Sequence, residues 1–326
     1  MAIKRTIKRS NEPDVLSLFN AFEEFITEKE AKNLSLPTIK NYSQTFRIFC
    51  NFHGFDEDTP ITAITPTHFY KWINTLKLEG VKPSSINHYL RDCRAFFYWC
   101  MDANRKYIEK AFKIEMVKGQ EESLKTFSDE ELDRLLEKPR RSEDFVTWRT
   151  WVISNWVIGT GNRAATICEI KIGDVDFKAK EISLRHTKNK KAQIIPLSSS
   201  LATILKEYLK LWRWDCRDED WLFPNIGDEK MSTNALHHSF ARYCKKREVA
   251  HSNIHGLRHT FAKMWVKNNG SEIKLQKILG HSSLEMTRRY VRLFAEDIKE
   301  DFDDFSPLDT LKKSQKRTQA IKREDD

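Results

Sequence analysis

Four residues lie in the segment HGLRHTFAKMWVKNNGSEIKLQKILGHSSLEMTRRY and could together act on a phosphodiester: His255, Arg258, His281 and Tyr290. An arginine fork matches phosphate oxygens, an imidazole transfers protons near neutral pH, and a tyrosine hydroxyl can hold a phosphoryl group covalently. HxxR alone is a common spacing on a helix face. LGHSS with a tyrosine nine residues after its histidine is much rarer. The ordered series predicts phosphodiester cleavage without a metal ion.

Two upstream segments extend this set. GTGNRAATICEIKIGDVDF carries Arg163 just after a Gly-rich turn, and LRHTKNKKAQIIPL predicts a β-hairpin with Lys188 near its tip. Together the motifs resemble those of the tyrosine recombinases, also called phage integrases. The resemblance covers nearly the whole chain and is strongest over residues 155–294. It implies an active site made of Arg163, Lys188, His255, Arg258, His281 and the nucleophile Tyr290.

The resemblance also implies a role for each side chain. The tyrosine attacks the scissile phosphate, while Arg163 and Arg258 bind the non-bridging oxygens and His281 donates a third hydrogen bond. Lys188 protonates the departing 5′-oxygen, and His255 takes or positions the phenol proton. Backbone N–H groups at the helix start in HGLRHT are expected to face an anion. No cofactor and no metal ion are expected.

The sequence departs from the family pattern beside the first arginine. An apolar residue is usual before it, where this chain has Asn162. An acidic residue is usual three positions after it, where this chain has Thr166, with Glu169 three further on. Lys190 and Lys191 lie close enough to compete for the general-acid role, although the match TKNKKAQIIPL favours Lys188.

Each of these residues also has an ordinary structural explanation. An arginine after a turn is usually a surface cation, His255 could cap a helix, and Tyr290 could be a core aromatic. The ordered series favours catalysis. Two other functions remain open: a non-catalytic DNA-binding relative, and a metal-independent topoisomerase that shares the tyrosine chemistry. Strand exchange between two sites, as opposed to relaxation of supercoils, would distinguish the recombinase from the topoisomerase.

Composition favours a polyanionic partner and excludes several protein classes. The 326 residues carry 56 lysines and arginines against 47 acids, a net charge of +9 with a pI near 9.1. The sequence has no apolar run of membrane-spanning length, and its basic N-terminus lacks the apolar stretch of a signal peptide. Six cysteines without CxxC pairing predict reduced thiols in a cytoplasmic protein. His237 and His238 are adjacent and point different ways on a helix, so we expect no metal there.

The predicted fold is mainly α-helical with a small antiparallel β-sheet, in two domains. Residues 14–110 form a domain of about four helices, over 14–32 and 34–54, from Thr65 to Gly80, and from Ser84 or Ser85. In helix number and order it resembles the SAM-like, core-binding DNA-binding domain of the integrases. Residues 111–126 are the predicted linker. Residues 127–306 form an α+β catalytic domain, opened by a capping box of Ser128 and Glu131. Its strands are EISLR and QIIPL, and its later helices lie near 198–213, 233–247, 255–268, 271–279 and 283–294.

The two ends of the chain are predicted to lie outside these domains. Residues 1–13 form a basic arm whose lysines and arginines either touch DNA phosphates or form a solvated tail: Lys4, Arg5, Lys8 and Arg9. Residues 307–326 are charged and predicted to be disordered. Within FAEDIKEDFDDFSPLD, Ile298, Phe302 and Phe305 share one helical face. This face docks either on its own domain or, as the resemblance implies, on a neighbouring protomer.

The resemblance implies double-stranded DNA recombination sites as the substrate, assembly of four protomers on DNA, and accessory DNA-bending or excision factors as further partners. Integration or excision of a mobile element is the expected role. Clustered cations and small donors on two N-terminal helices are the candidate DNA contacts. They are Lys40, Asn41, Ser43, Arg47, Lys82, Ser84, Asn87, Arg91 and Arg94.

Overall fold

The computed structural model describes residues 16–119, 124–185 and 192–294, and it divides the chain into two compact units, residues 1–121 and 122–326. The first unit contains four helices, α1 (Leu18–Ala31), α2 (Leu36–His53), α3 (Pro66–Leu78) and α4 (Pro83–Cys100), with a 3₁₀ turn at Ile61–Ala63. The hydroxyls of Ser17 and Ser35 cap α1 and α2. Gly54, at φ 69°, ends α2 in the left-handed conformation.

These bounds confirm the four predicted helices, although α1 begins at Leu18 and α2 at Leu36, after the predicted residues 14 and 34. Helix α4 begins at Pro83, before the predicted Ser84 or Ser85. Proline is favoured in the first turn because its missing N–H group would have no helical partner there. Lys82 precedes it as the N-cap residue, without a side-chain capping bond. Aromatic side chains fill the space between the helices. Phe22 stacks on Phe46 with ring centroids 3.8 Å apart.

The chain after α4 packs on the core of the same unit. Ile108 and Ile114 are buried in that core, and Phe112 and Met116 pack against it. The segment that the sequence places at the start of the linker therefore covers the helical core as far as residue 117.

The second unit contains eight helices among its described residues and one sheet. The helices are α5 (Asp129–Leu136), α6 (Phe145–Thr160), α7 (Ala164–Ile167), α8 (Ser199–Trp212), α9 (Thr233–Lys246), α10 (Ile254–Lys267), α11 (Glu272–Leu279) and α12 (Leu284–Phe294). A 3₁₀ turn covers Ile172–Asp174. The predicted capping box of Ser128 and Glu131 is present at the start of α5. The five helices predicted after the sheet are confirmed to within a residue or so at each end.

The sheet is antiparallel, with strand order β1 (Val175–Asp176), β2 (Glu181–Leu184) and β3 (Gln193–Pro196). Ile182 pairs with Ile195, and both side chains are buried. The two predicted strands are confirmed, whereas the two-residue strand β1 was not predicted, because two residues are too few to show alternation. The hairpin tip, residues 186–191, lies outside the described residues.

Helix α6 runs through the core of the second unit. Trp148, Trp151 and Trp156 on it are at most 4% exposed, and buried side chains occur around its whole circumference. A helix that is apolar on all sides is stable only when surrounded by protein. The three tryptophans are therefore core residues, and their packing fixes the C-terminal end of α6, where the candidate site begins.

Two observations bear on the cysteines and on membranes. All six cysteines are unpaired, and all except the half-buried Cys216 are buried. Burial raises the pKa of the Cys50 and Cys244 thiols to about 12, so both are protonated near neutral pH. Among the described residues, we find no helix with the length and apolar character needed to cross a bilayer.

Candidate active site

A turn at Gly161, directly after α6, positions Arg163. Gly161 has φ 65°, and a Cβ atom there would lie 2.5 Å from Phe261 and 2.6 Å from Leu279. Only glycine satisfies both the backbone conformation and this close approach. The turn places Arg163 as the N-cap residue of the short helix α7, with its side chain half-buried.

The departures from the family pattern around Arg163 are accommodated locally. Asn162 is buried, and its Oδ1 accepts a hydrogen bond of 2.9 Å from Trp156 Nε1, so a polar residue is tolerated there. Thr166 is buried. Glu169 forms an ion pair of 2.5 Å with Lys230, so its carboxylate is engaged by a cation other than Arg163.

Arg258 on α10 is the best-anchored cation of the site. It is 2% exposed, and it donates to the carbonyl oxygens of Gly161 at 2.6 Å and Leu279 at 3.0 Å. Arg163 donates to the same Leu279 oxygen at 3.2 Å. Burial and the charge of Arg163 lower the pKa of Arg258 to about 10, which still leaves it charged at neutral pH. The two guanidinium groups therefore converge near the end of α11.

His281 connects Arg258 to α12. Its Nε2 lies 2.9 Å from Arg258 Nη2, and its Nδ1 lies 2.9 Å from Thr287 Oγ1. Because arginine only donates, Nε2 must accept, and a neutral ring then carries its proton on Nδ1. Burial, followed by the charges of Arg258 and Arg163, lowers the pKa of His281 to about 4, which agrees with a neutral ring. The predicted hydrogen bond from His281 to phosphate would therefore require this arrangement to change when DNA binds.

The ring of Tyr290, on α12, lies among apolar side chains, whereas its hydroxyl contacts polar groups. The residue is 5% exposed and packs with Phe261, Leu275 and Leu279. Its hydroxyl lies 2.9 Å from His259 Nδ1. Burial raises the pKa of the phenol, against the opposing charge of Arg258 and a hydrogen bond from it. The nucleophile candidate is therefore a neutral phenol in the protein alone.

The start of α10 differs from the prediction in two respects. The N–H group of His255 donates to Asn253 Oδ1 at 3.0 Å, and that of Gly256 donates to Asn253 O at 2.8 Å. The expectation that the N–H groups in this part of HGLRHT face an anion is therefore wrong for these two residues. His255 is exposed, and its ring lies 4.7 Å from that of His259, centroid to centroid. Desolvation and the charges of Arg258 and Arg163 lower the pKa of His255.

Sequence analysis missed His259, which contacts the Tyr290 hydroxyl. A signal was present, because His259 is four residues after His255 and such pairs share a helix face. The motif HxxR ends at Arg258, so it does not include His259, the next residue.

A cavity of about 530 Å³ lies beside the arginines. Arg163, Arg258, His281 and Gln193 line it, together with Leu184 and Ala192 at the two ends of the hairpin tip. Lys188 belongs to that tip and lies outside the described residues. The structure thus brings three of the six predicted residues to one cavity, and Tyr290 packs directly against the elements that carry them.

The candidate DNA contacts of the first unit divide into two groups. Asn87 uses both ends of its amide on the backbone of Val117, donating at 2.9 Å and accepting at 2.8 Å, so it holds the chain after α4 and is a poor DNA contact. Ser43 donates to Ile39 O within α2, and Arg94 lies over the Tyr98 ring. The remaining candidates are exposed and stay predictions: Lys40, Asn41, Arg47, Lys82, Ser84 and Arg91.

Comparison with known proteins identifies the family. The family model described as the phage integrase family matches residues 106–297, and the one for the phage integrase N-terminal SAM-like domain matches residues 19–104. The tyrosine recombinase XerA of Saccharolobus solfataricus is 27% identical over 302 residues, which cover 89% of this chain and 93% of the relative.

Two solved structures share the fold. The XerH site-specific recombinase, bound to its palindromic difH substrate in a post-cleavage complex, superimposes with a TM-score of 0.67 at 21% identity, covering 90% of each chain. The lambda integrase tetramer on a Holliday junction superimposes with a TM-score of 0.67 at 18% identity, covering 86% of this chain and 78% of that one. The chain belongs to the phage integrase family, and it is a tyrosine-type site-specific recombinase.

Proposed function

We propose that this enzyme cleaves and rejoins DNA at recombination sites through a 3′-phosphotyrosyl intermediate on Tyr290. The observation that carries the proposal is the convergence of Arg163, Arg258 and His281 on one cavity, next to a buried tyrosine whose hydroxyl is hydrogen-bonded by a histidine. The arrangement supplies fixed positive charge for a phosphate and a nucleophile that is held in place.

The chemistry follows from the residue types. Tyr290 Oη bonds to phosphorus, the bond from phosphorus to the 5′-oxygen breaks, and the 5′-oxygen leaves with a proton that we assign to Lys188. Arg163 and Arg258 stabilise the charge that develops on the non-bridging oxygens. One such preorganised donor is typically worth about 2.7–4 kcal/mol of barrier. Attack by the 5′-hydroxyl of another strand reverses these steps and completes the exchange.

We assign the biological role to integration and excision of a mobile element, as the description of the matching family as phage integrases suggests. The test is to incubate the protein with the DNA that flanks its own gene and to map any covalent protein–DNA junction. A junction at an element end, followed by exchange between two such sites, supports the proposal. Relaxation of supercoiled DNA without exchange would identify a topoisomerase instead.

DNA binding through the first unit gives a testable salt dependence. We expect log–log plots of affinity against salt to have a slope of about −0.9 for each phosphate contacted. Arg47→Ala should reduce the magnitude of that slope by about 0.9, because Arg47 is an exposed cation on α2, among the candidates for phosphate contact. Lys77→Ala on α3 is the control, since it also removes an exposed positive charge but lies outside the predicted surface. Equal slopes for wild type and Arg47→Ala would contradict the assignment.

We also propose that four protomers assemble on DNA and that residues 294–306 link them by docking on a neighbour. The support is the lambda integrase tetramer, whose fold this chain shares, and the apolar face of Ile298, Phe302 and Phe305 in an acidic segment. These residues lie outside the described side chains. If each protomer docks its segment on the next one, four such contacts close into a ring.

Truncation after Leu293 should therefore leave binding to one site near normal and abolish the complex of two sites. Electrophoretic mobility shifts measure binding to one site with one-site DNA, and formation of the two-site complex with two-site DNA. Truncation after Leu311 is the control, because it removes charged residues and keeps the apolar face. If the shorter protein assembles two sites and recombines them at the wild-type rate, docking on a neighbour is wrong.

A further inference from the structure

The imidazole in contact with the Tyr290 hydroxyl is that of His259, four residues after His255. His259 Nδ1 lies 2.9 Å from Tyr290 Oη. This is a normal hydrogen-bond distance for a phenol and a ring nitrogen. His259 is half-buried, whereas His255 is exposed and stacks edge-on against it, with an interplanar angle of 80°.

The direction of this bond depends on the tautomer of His259. A neutral ring that carries its proton on Nδ1 donates to the phenol oxygen, whereas one that carries it on Nε2 accepts from the phenol hydroxyl. Burial and the charges of His255, Arg258, Arg289 and His251 lower the pKa of His259 to about 4, so the ring is neutral. A neutral ring with its proton on Nε2 presents a lone pair on Nδ1 to the phenol.

We propose that His259 is a catalytic residue that accepts the proton of Tyr290 as the tyrosine attacks DNA. This inference rests on the proposed phosphotyrosyl chemistry and replaces His255 in the role that the family resemblance gave it. As Oη bonds to phosphorus, the Oη–H bond breaks and its proton moves to His259 Nδ1. The 5′-oxygen leaves with a separate proton from the general acid. On rejoining, His259 returns its proton to Oη as the 5′-hydroxyl displaces it from phosphorus.

The surrounding charge couples this step to DNA binding. In the free protein the neighbouring cations oppose a proton on His259, so the phenol keeps its own. A phosphodiester bound between Arg163 and Arg258 brings a negative charge that offsets them and favours the imidazolium form. Proton transfer then becomes favourable only when the scissile phosphate is in place. This arrangement restrains reaction of the tyrosine in the absence of DNA.

The test uses His259→Asn, whose shorter amide can accept a hydrogen bond but cannot take a proton. We expect covalent adducts on a nicked substrate to form about 10²–10⁴ times more slowly than with wild type, the usual contribution of a general base. Affinity for uncleaved DNA should be unchanged. His238→Asn is the matched control, because it replaces an exposed histidine on α9 that has no assigned role in the site, and it should form adducts at the wild-type rate. His259→Gln gives a second measurement if the asparagine variant does not fold.

A substrate with sulfur in place of the bridging 5′-oxygen separates the base from the general acid. A thiolate leaves without protonation, so the sulfur should restore cleavage by Lys188→Ala and should not restore it in His259→Asn. Wild-type rates in both His259 variants, or rescue of either by sulfur, would overturn the inference. Absence of any adduct with the wild-type protein would instead overturn the proposed function itself.

Discussion

Tyr290→Phe is expected to abolish covalent protein–DNA adducts while the protein folds and binds DNA. The change removes one oxygen atom, and the ring keeps its packing against Phe261, Leu275 and Leu279. The hydrogen bond with His259 is lost, at a cost of about 1 kcal/mol in the free energy of unfolding. Because Tyr290 is the assigned nucleophile, the loss of adduct should be complete. A nicked substrate that traps the intermediate, run on a denaturing gel, measures it.

Tyr243→Phe is the matched control in the same unit. Tyr243 is also buried, and its hydroxyl donates to Leu135 O at 2.8 Å, so the substitution removes a comparable hydrogen bond outside the motif. It should form adducts at the wild-type yield. Adducts at that yield with Tyr290→Phe, and none with Tyr243→Phe, would mean that the nucleophile has been wrongly assigned.

Local patterns accounted for most of the fold. Ser17 and Ser35 before apolar runs, Gly54 after one, and the Ser128 capping box each act within about one helical turn, so they can be read from adjacent residues. The same holds for the alternation in β2 and β3. The helices and strands could be predicted because the residues that determine their ends lie next to them in the sequence.

The site depended on signals of longer range. The hydrogen bond from Arg163 to Leu279 O joins residues 116 positions apart and meets there the bond from Arg258, and no spacing rule predicts this convergence. Asn87 has the composition of a DNA contact, but its amide is satisfied by Val117, thirty residues later. His259 was missed because its role depends on where α12 packs against α10. Tertiary packing decides which polar side chains already have a hydrogen-bond partner within the protein. The sequence alone therefore could not predict which of them are available to bind DNA.

Arg163→Ala and Arg258→Ala should both reduce cleavage strongly, but they should differ in stability. Each removes a preorganised donor to the phosphate, so each should slow adduct formation by about 10²–10³-fold. In Arg163→Ala, the Leu279 carbonyl keeps its bond from Arg258, and no fold contact of comparable importance is lost. Its free energy of unfolding should fall by no more than about 1 kcal/mol.

Arg258→Ala should also destabilise the protein, because it removes the donor to Gly161 O and to His281 Nε2 at a fully buried position. An unsatisfied buried group costs about 1–3 kcal/mol, and removing a desolvated charge offsets part of this. We expect a net loss of about 2 kcal/mol, measured as a lower midpoint of urea unfolding at unchanged slope. Because Gly161 forms the turn that presents Arg163, the first arginine should loosen as well. Equal unfolding midpoints for the two variants would show that Arg258 serves the phosphate alone and does not hold the site together.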